Sequence, residues 1–348
     1  MSELKFRDIL IEDATWITEA ENDPEAAKYW EPFPRTEHEL REKIKMLEEA
    51  GEKTIVAELD CEPVGHVNVG PEPGRCRHVA EIGIFVRREC WGRGVGSALM
   101  EEGIKLAKQL GCRKLMLNTT EGNERAIGLY KKFGFEIEAY MSDYVYVDGS
   151  WKEEYIMGLE LAPCEPKISQ SMLQQTRETY GYMKPTKRNI NVRQLTDRDL
   201  DEVWRLQNCP DSTKSSCRVP PVPKEETRRW YEELRSREGK HCLACFEGEE
   251  LLGYLRFGAG YLPSPNLKFE EIIVDVTRGH REVADVLIEA IKGFKERYGY
   301  RRIFAHTPQT SRAIVEALER HGFKSTGAMK CFTFIDGYYV DVAVYEYP

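Results

Sequence analysis

No uninterrupted apolar run in this chain approaches the ~18 residues that a membrane-spanning helix requires. The opening stretch, MSELKFRDILIED, turns acidic within a few residues instead of building an apolar leader. No membrane partner and a cytoplasmic location are therefore expected. Net basic charge is missing as well: 50 Lys and Arg against 59 Asp and Glu leave −9. That is the wrong sign for a nucleic-acid reader, whose phosphate partner demands a basic face. The acidic balance suits a cationic small substrate, and it is equally the ordinary condition of a soluble surface. The 10 cysteines lack the regular spacing of a disulfide framework, so reduced thiols are expected. Cys242 and Cys245 form the one close pair, with no second Cys/His pair at zinc-finger spacing. They lie in a segment that reads as a strand, where residues three apart face opposite ways. Core packing is the reading this supports, and no metal is expected.

What the chain does have is a repeat. Its 348 residues suit two domains of roughly 150–180 residues, and 41% hydrophobic with 31% charged residues is ordinary globular composition. Arg7 aligns with Arg193 and Asn22 with Asn208 at an offset of 186 residues. Gly65, Gly70, Gly111, Gly134 and the pair Asp148-Gly149 recur as Gly253, Gly258, Gly299, Gly322 and Asp336-Gly337 at an offset of 188. An ordered series at nearly constant spacing identifies a tandem duplication. The boundary falls in a polar stretch bracketed by prolines, dividing the chain into 1–162, a linker at 163–187, and 188–348. A short helix from Met172 to Tyr180 is expected within the linker.

Each half reads as a strand, two helices, two strands meeting at a hairpin, a buried strand, the main helix, another strand, a further helix and a terminal hairpin turning at Asp-Gly. This order predicts a mixed α+β fold in the α/β class, a twisted mixed sheet flanked by helices in each domain.

The chemistry concentrates after the buried strand of the first half, Ala80–Val86. There a loop with glycines at 92, 94 and 96 opens directly into a long amphipathic helix. Glycines at a helix start let backbone amides approach an anion closely, and the helix dipole favours negative charge there. A phosphate-bearing ligand is the natural occupant. A dinucleotide fingerprint would need Gly or Ala at position 99 or 97, which are Leu99 and Ser97. A P-loop would need a Lys-Ser/Thr pair that does not follow.

With these excluded, the segment Trp91-Gly-Arg-Gly94-Val-Gly96 resembles the acyl-CoA loop of the GNAT superfamily of N-acyltransferases. The downstream segment from Asn123 through Tyr130 to Gly134-Phe135 resembles that family's second motif. The element order of residues 3–161 is similar to the whole family domain. Trp91 stands where Arg or Gln is usual, and Arg88 where a proline is common; both bear on cofactor affinity and acyl preference. The resemblance implies acetyl-CoA as cosubstrate, with its diphosphate on the amides of Trp91, Gly92, Arg93, Gly94, Val95, Gly96 and Ser97. The pantetheine arm would pair along Ile84, Phe85 and Val86, the amide of Val86 or Phe85 polarising the thioester, and Asn123 would fix the next helix nearby. Tyr130 would protonate the departing thiolate and Glu81 would serve as base. Tyr29, Trp30 and Phe33 lie where the family places substrate contacts.

Packing readings stand beside these. Tyr130 shares a helical stripe with Ala126, Leu129 and Phe133, Glu81 also reads as an ordinary edge carboxylate, and the three aromatics also suit packing. In the second half only Gly279 of the loop survives, Glu282 brings negative charge, and Ser311 and Leu318 replace Asn123 and Tyr130. That half is expected to bind no CoA. The implied function is transfer of an acetyl group from acetyl-CoA to a primary amine, on a small molecule or a peptide N-terminus, by direct attack in a ternary complex, in a monomer or homodimer. A non-catalytic acyl-CoA sensor or a scaffold protein is the alternative.

Overall fold

The structure is a computed structural model. It describes residues 4–29, 36–49, 52–169, 171–172, 189–237, 239–259, 265–275, 277 and 281–348. Most of the linker, with residues 173–180 of the helix expected there, lies outside them. The chain divides into two compact units: Met1–Glu72, Cys76–Glu138 and Ser142–Cys164 in one, Pro73–Arg75, Ala139–Met141 and Glu165–Pro348 in the other.

The first unit runs β1 (Leu4–Asp8), α1 (Ala14–Glu21), α2 (Pro24–Ala27), α3 (Glu37–Glu49), β2 (Lys53–Leu59), β3 (Glu62–Pro71), β4 (Val79–Val86), α4 (Val95–Gln109), β5 (Lys114–Thr120), α5 (Glu124–Lys132), β6 (Glu136–Val147) and β7 (Ser150–Glu160). Its seven strands are ordered β1-β2-β3-β4-β5-β7-β6. The pairs β1–β2, β2–β3, β3–β4 and β5–β7 are antiparallel, whereas β4 and β5 run parallel. A parallel pair needs a crossover, and α4 supplies it. The helix buries Val95, Leu99, Met100 and Ala107 on one sheet face, with Val67 and Ile82. Trp16, Ile17, Leu40, Ile44 and Val56 bring α1 and α3 onto the other face.

The second unit repeats the order: β8 (Ile190–Arg193), α6 (Leu200–Gln207), α7 (Lys224–Ser236), β9 (Lys240–Glu247), β10 (Glu250–Ala259), β11 (Leu267–Val274), α8 (Arg281–Tyr298), β12 (Ile303–Pro308), α9 (Arg312–Arg320), β13 (Lys324–Ile335) and β14 (Tyr338–Tyr347). Its sheet is ordered β13-β14-β12-β11-β10-β9-β8, with β11 and β12 parallel. Both units are thus mixed sheets flanked by helices. Cys242 and Cys245 on β9 are both buried but join different clusters, the first with Trp230 and Tyr254, the second with Leu255 and Val283. They face opposite sides of the sheet, as strand geometry demands, and none of the ten cysteines is in a disulfide.

The repeated residues do repeated jobs. Asp148 and Gly149 have φ of 49° and 78°, Asp336 and Gly337 of 51° and 87°. Two successive left-handed residues make the tight hairpin turn whose twist matches the flanking strands. Arg7 donates to both oxygens of Asp13 at 2.7 and 2.8 Å, and Arg193 does the same to Asp199 at 2.7 and 2.8 Å.

The Arg193 guanidinium, together with the amide and hydroxyl of Thr196, holds the Asp199 carboxyl down at about 2 despite its burial. At Asp13 burial pushes upward, and the donors Arg7, Leu10 N and Trp16 Nε1 outweigh it. A carboxylate with a lowered folded value adds stability above its unfolded value of ~3.9 and loses it as pH falls through the folded value. Circular dichroism should therefore show stability draining between pH ~4 and ~2, and Asp199→Asn should flatten that dependence in the second unit.

Candidate active site

The site forms where β4 loses a neighbour. On one side β4 pairs with β3 along its whole length, from Pro71↔Ala80 to Gly65↔Val86. On the other, pairing with β5 covers only Val79↔Lys114, Ala80↔Leu115 and Glu81↔Met116, although β4 continues to Val86 and β5 to Thr120. Beyond Glu81 the two parallel strands splay.

Ladder parity decides which amides face the opening. Arg87 N donates to Val64 O at 2.9 Å, and hydrogen-bonded pairs alternate along an antiparallel ladder. The amides of Phe85, Gly83 and Glu81 therefore point at β3, and those of Ile84 and Val86 at the splayed edge. Of the two amides expected to polarise a thioester, Phe85's is engaged in the ladder and Val86's is turned to the opening. The Phe85 side chain is buried on the α1 face, stacked 5.7 Å from the His66 ring.

The glycine loop closes the end of this opening. Gly92 and Gly94 have φ of 72° and 86°, and a Cβ added at either would meet nothing within 4 Å. Backbone conformation, not space, requires glycine there. Gly94 is the N-cap of α4 and has no side-chain cap. The amides of Val95, Gly96 and Ser97 thus head a helix that gives them no internal acceptor. At Gly96 a Cβ would come within 3.3 Å of Leu129 Cδ2, where α5 packs on the start of α4.

Trp91 is tied into the same corner. Its Nε1 donates to Val86 O at 2.8 Å, consuming the carbonyl beside the open amide, and the Arg125 guanidinium lies 3.7 Å over its ring. Lys132 Nζ donates to Ser97 Oγ at 3.0 Å. Arg93 is exposed on the loop. These cations suit an anionic ligand at the helix start. Arg125 and Lys132 were not among the expected residues; their sequence signal is a spacing of seven, two turns apart on one face of α5.

Asn123 caps α5, its Oδ1 accepting from Ala126 N at 3.4 Å. Tyr130 is half-buried 5.9 Å from Phe135, and burial pushes its hydroxyl up to about 12. Tyr29 donates to Gly122 O at 3.0 Å, which brings it to the turn preceding Asn123. Trp30 and Phe33 lie outside the described residues. Glu81 is exposed at the closed end of the splay, on the α1 face. Burial first, then the charge of Glu81, raises Glu52 above the usual carboxylate range.

In the second unit β11 and β12 pair only at Leu267↔Ile303 and Lys268↔Phe304. Asp275, fully buried, stands where the first unit has Arg87. It accepts from Arg205 at 2.8 Å and from Thr277 at 2.6 Å. Leu318 is wholly buried in the place of Tyr130, and the Ser311 hydroxyl does not cap α9. Gly279 lies outside the described residues.

The acetyltransferase (GNAT) family matches residues 15–135 and 201–323, one match in each repeat. This chain belongs to that family. It is a tandem GNAT acetyltransferase, an enzyme class that takes its acetyl group from acetyl-CoA. L-amino acid N-acetyltransferase AaaT of Escherichia coli (strain K12) is 34% identical to it over 161 residues, 45% of this chain and 98% of that protein. Spermidine N(1)-acetyltransferase of the same organism is 26% identical over 156 residues, 43% of this chain and 81% of that protein. Among solved structures, a putative acetyltransferase from Salmonella typhimurium with its cofactor acetyl-CoA aligns at a TM-score of 0.43 and 21% identity, over 47% of this chain and 96% of that one. The open edge of β4, the left-handed glycines and the surrounding cations make the first GNAT unit fit the cofactor. No helix among the described residues is long and apolar enough to cross a membrane.

Proposed function

We propose that the first unit transfers the acetyl group of acetyl-CoA to a primary amine, on a small molecule or a peptide N-terminus, by direct attack within a ternary complex. The observation that carries this reading is the joint geometry of the splay and the loop: unpaired amides of β4 lead straight to a helix start with two left-handed glycines. The amides from Trp91 to Ser97 hold the diphosphate, with Arg93, Lys132 and the Arg125–Trp91 stack beside them. Val86 N–H stabilises the charge that develops on the thioester oxygen, a kind of donor whose loss costs ~2.7–4 kcal/mol in other enzymes. Tyr130 faces the leaving sulfur, and Asn123 keeps α5 in place.

An amine with a pKa near 10.4 is only about 0.04% neutral at pH 7, and only the neutral form attacks. Glu81 receives the proton, and its separation from Val86 along the strand makes that a relay through water. Tyr29, held on Gly122 O, belongs to the acceptor side in this reading. Relatives named for amino-acid and spermidine acetylation support a small cationic or zwitterionic acceptor. A panel of amines assayed for thiol release from acetyl-CoA tests this; binding without release by any amine would favour a sensor instead.

Only the first unit binds CoA in this reading, because the second keeps only Gly279 of the loop and has Ser311 and Leu318 in place of Asn123 and Tyr130. Calorimetry should give one acetyl-CoA per chain. Two equivalent sites would refute the assignment of the second unit.

A further inference from the structure

On the α1 face of the sheet, beside the β3-facing edge of β4, lies an ionisable pair that no motif marks. His66 on β3 stands opposite Phe85 on β4, and its side chain is only 9% exposed. Among the described residues, neither of its ring nitrogens has a hydrogen-bond partner. Glu21, the last residue of α1, is equally buried at 8%, with Oε1 3.4 Å from His66 Nε2. Apolar and aromatic side chains among the described residues pack around the imidazole. Trp16 of α1 lies edge-on at 6.1 Å, β4 contributes Phe85 and β2 contributes Val56. Leu40 and Ile44 of α3 join the cluster around Val56. Arg87 is stacked 5.2 Å over the Trp16 ring.

Burying a carboxylate beside an imidazole is costly unless the pair has a use or full hydrogen bonding. The second unit shows that the fold does not need it. At the corresponding places stand Gln207, the last residue of α6, and Tyr254, which faces Ile273 on β11. Gln207 Nε2 donates to Tyr254 Oη at 3.2 Å, Thr227 donates to Gln207 Oε1 at 2.7 Å, and Tyr254 donates to Glu271 at 2.9 Å. Glu271 in turn accepts from Arg218 at 2.6 Å. A saturated network built on a neutral pair fills the same position in the unit whose loop has decayed. In the unit with the intact loop the position stays ionisable, and the His66 ring nitrogens have no hydrogen-bond partner among the described residues.

Its location matters. Glu81 stands three to five residues from Ile84 and Val86, roughly 10–17 Å along the strand. A proton leaving an amine held near Val86 N–H needs a carrier across that span, and His66 is the titratable side chain directly across from Phe85.

We propose that Glu21 and His66 are the buried proton carrier of the acetyl transfer. The inference rests on the acetyl-transfer reading of this site. The amine nitrogen forms the new N–C bond, and the C–S bond breaks with its electron pair passing to sulfur. The proton shed by the nitrogen moves through water to His66 Nδ1, the ring nitrogen turned from Glu21. Glu21 stabilises the imidazolium until the proton passes on toward Glu81 and solvent.

The second unit supplies the test. The double variant Glu21→Gln with His66→Tyr imports the neutral pair that the same fold already accommodates. Expected are a melting temperature within a few degrees of wild type, acetyl-CoA affinity within threefold by calorimetry, and thiol release at pH 7 at least 30-fold slower. The limb of the kcat/KM profile that belongs to the pair should vanish, leaving only the slope of the amine itself. His66→Asn carries the same expectations if the double variant does not fold. Turnover within threefold of wild type, with an unchanged pH profile, would overturn the proton carrier while leaving acetyl transfer standing. A wild-type chain that neither binds acetyl-CoA nor releases thiol to any amine would overturn both.

Discussion

Gly94→Val is expected to raise the KM for acetyl-CoA roughly 100-fold while leaving the KM for the amine within a factor of about three. Gly94 sits at φ 86° and ψ −7° as the N-cap of α4. An L-residue in the left-handed region costs ~1–2 kcal/mol, and a β-branched one is a genuine outlier there. Space does not oppose the substitution, since a Cβ meets nothing within 4 Å. The strain is therefore relieved by rotation of the neighbouring peptides, which carry the amides of Val95 and Gly96. Hydrogen bonds to a charged partner are worth ~1.5–3 kcal/mol each, so misdirecting one or two of them accounts for about two decades in affinity. The unit itself survives, because the strain is small beside a stability of ~5–15 kcal/mol. Gly94→Asn is the informative control, since asparagine tolerates the left-handed region. It should retain most of the affinity. Equal losses for valine and asparagine, read by calorimetry, would mean that backbone conformation is not what the glycine supplies.

That glycine was visible in the sequence for the same reason it matters. Left-handed backbone leaves a residue-type signature, so Gly92, Gly94 and the Asp-Gly hairpins announced both the loop and the duplication. Hydrophobic alternation likewise announced the strands around them. The splay of β4 from β5 leaves no such mark, because it depends on where pairing stops and not on which residues pair. The choice between Phe85 and Val86 hid for a related reason: ladder parity is set by register, which Arg87 N to Val64 O fixes in three dimensions. Glu21 and His66 lie far apart in the chain, and nothing in the spacing of a helix end and a mid-strand residue says that they meet. The ion pair of Asp275 with Arg205, 70 residues away, likewise leaves no mark in the sequence.

Tyr130→Phe should lower kcat for thiol release by about 10- to 100-fold, with acetyl-CoA affinity unchanged. Burial holds the Tyr130 hydroxyl at about 12, so at neutral pH it is fully protonated and available as a donor. A thiol titrates near 8.5, which makes outright transfer of the phenolic proton to the thiolate uphill by roughly 5 kcal/mol. The same desolvation also raises the thiol, narrowing the gap without closing it. The favoured role is a hydrogen bond that strengthens as charge gathers on sulfur, worth ~1.5–3 kcal/mol, while solvent completes the protonation. Phenylalanine keeps the ring against Phe135 and the α5 stripe, so packing changes little and the loss is confined to the donor. The size of the loss should shrink with thioesters whose thiols are more acidic, because they need less help in leaving. A kcat unchanged by Tyr130→Phe across that series would return Tyr130 to the core and leave the departing sulfur to water.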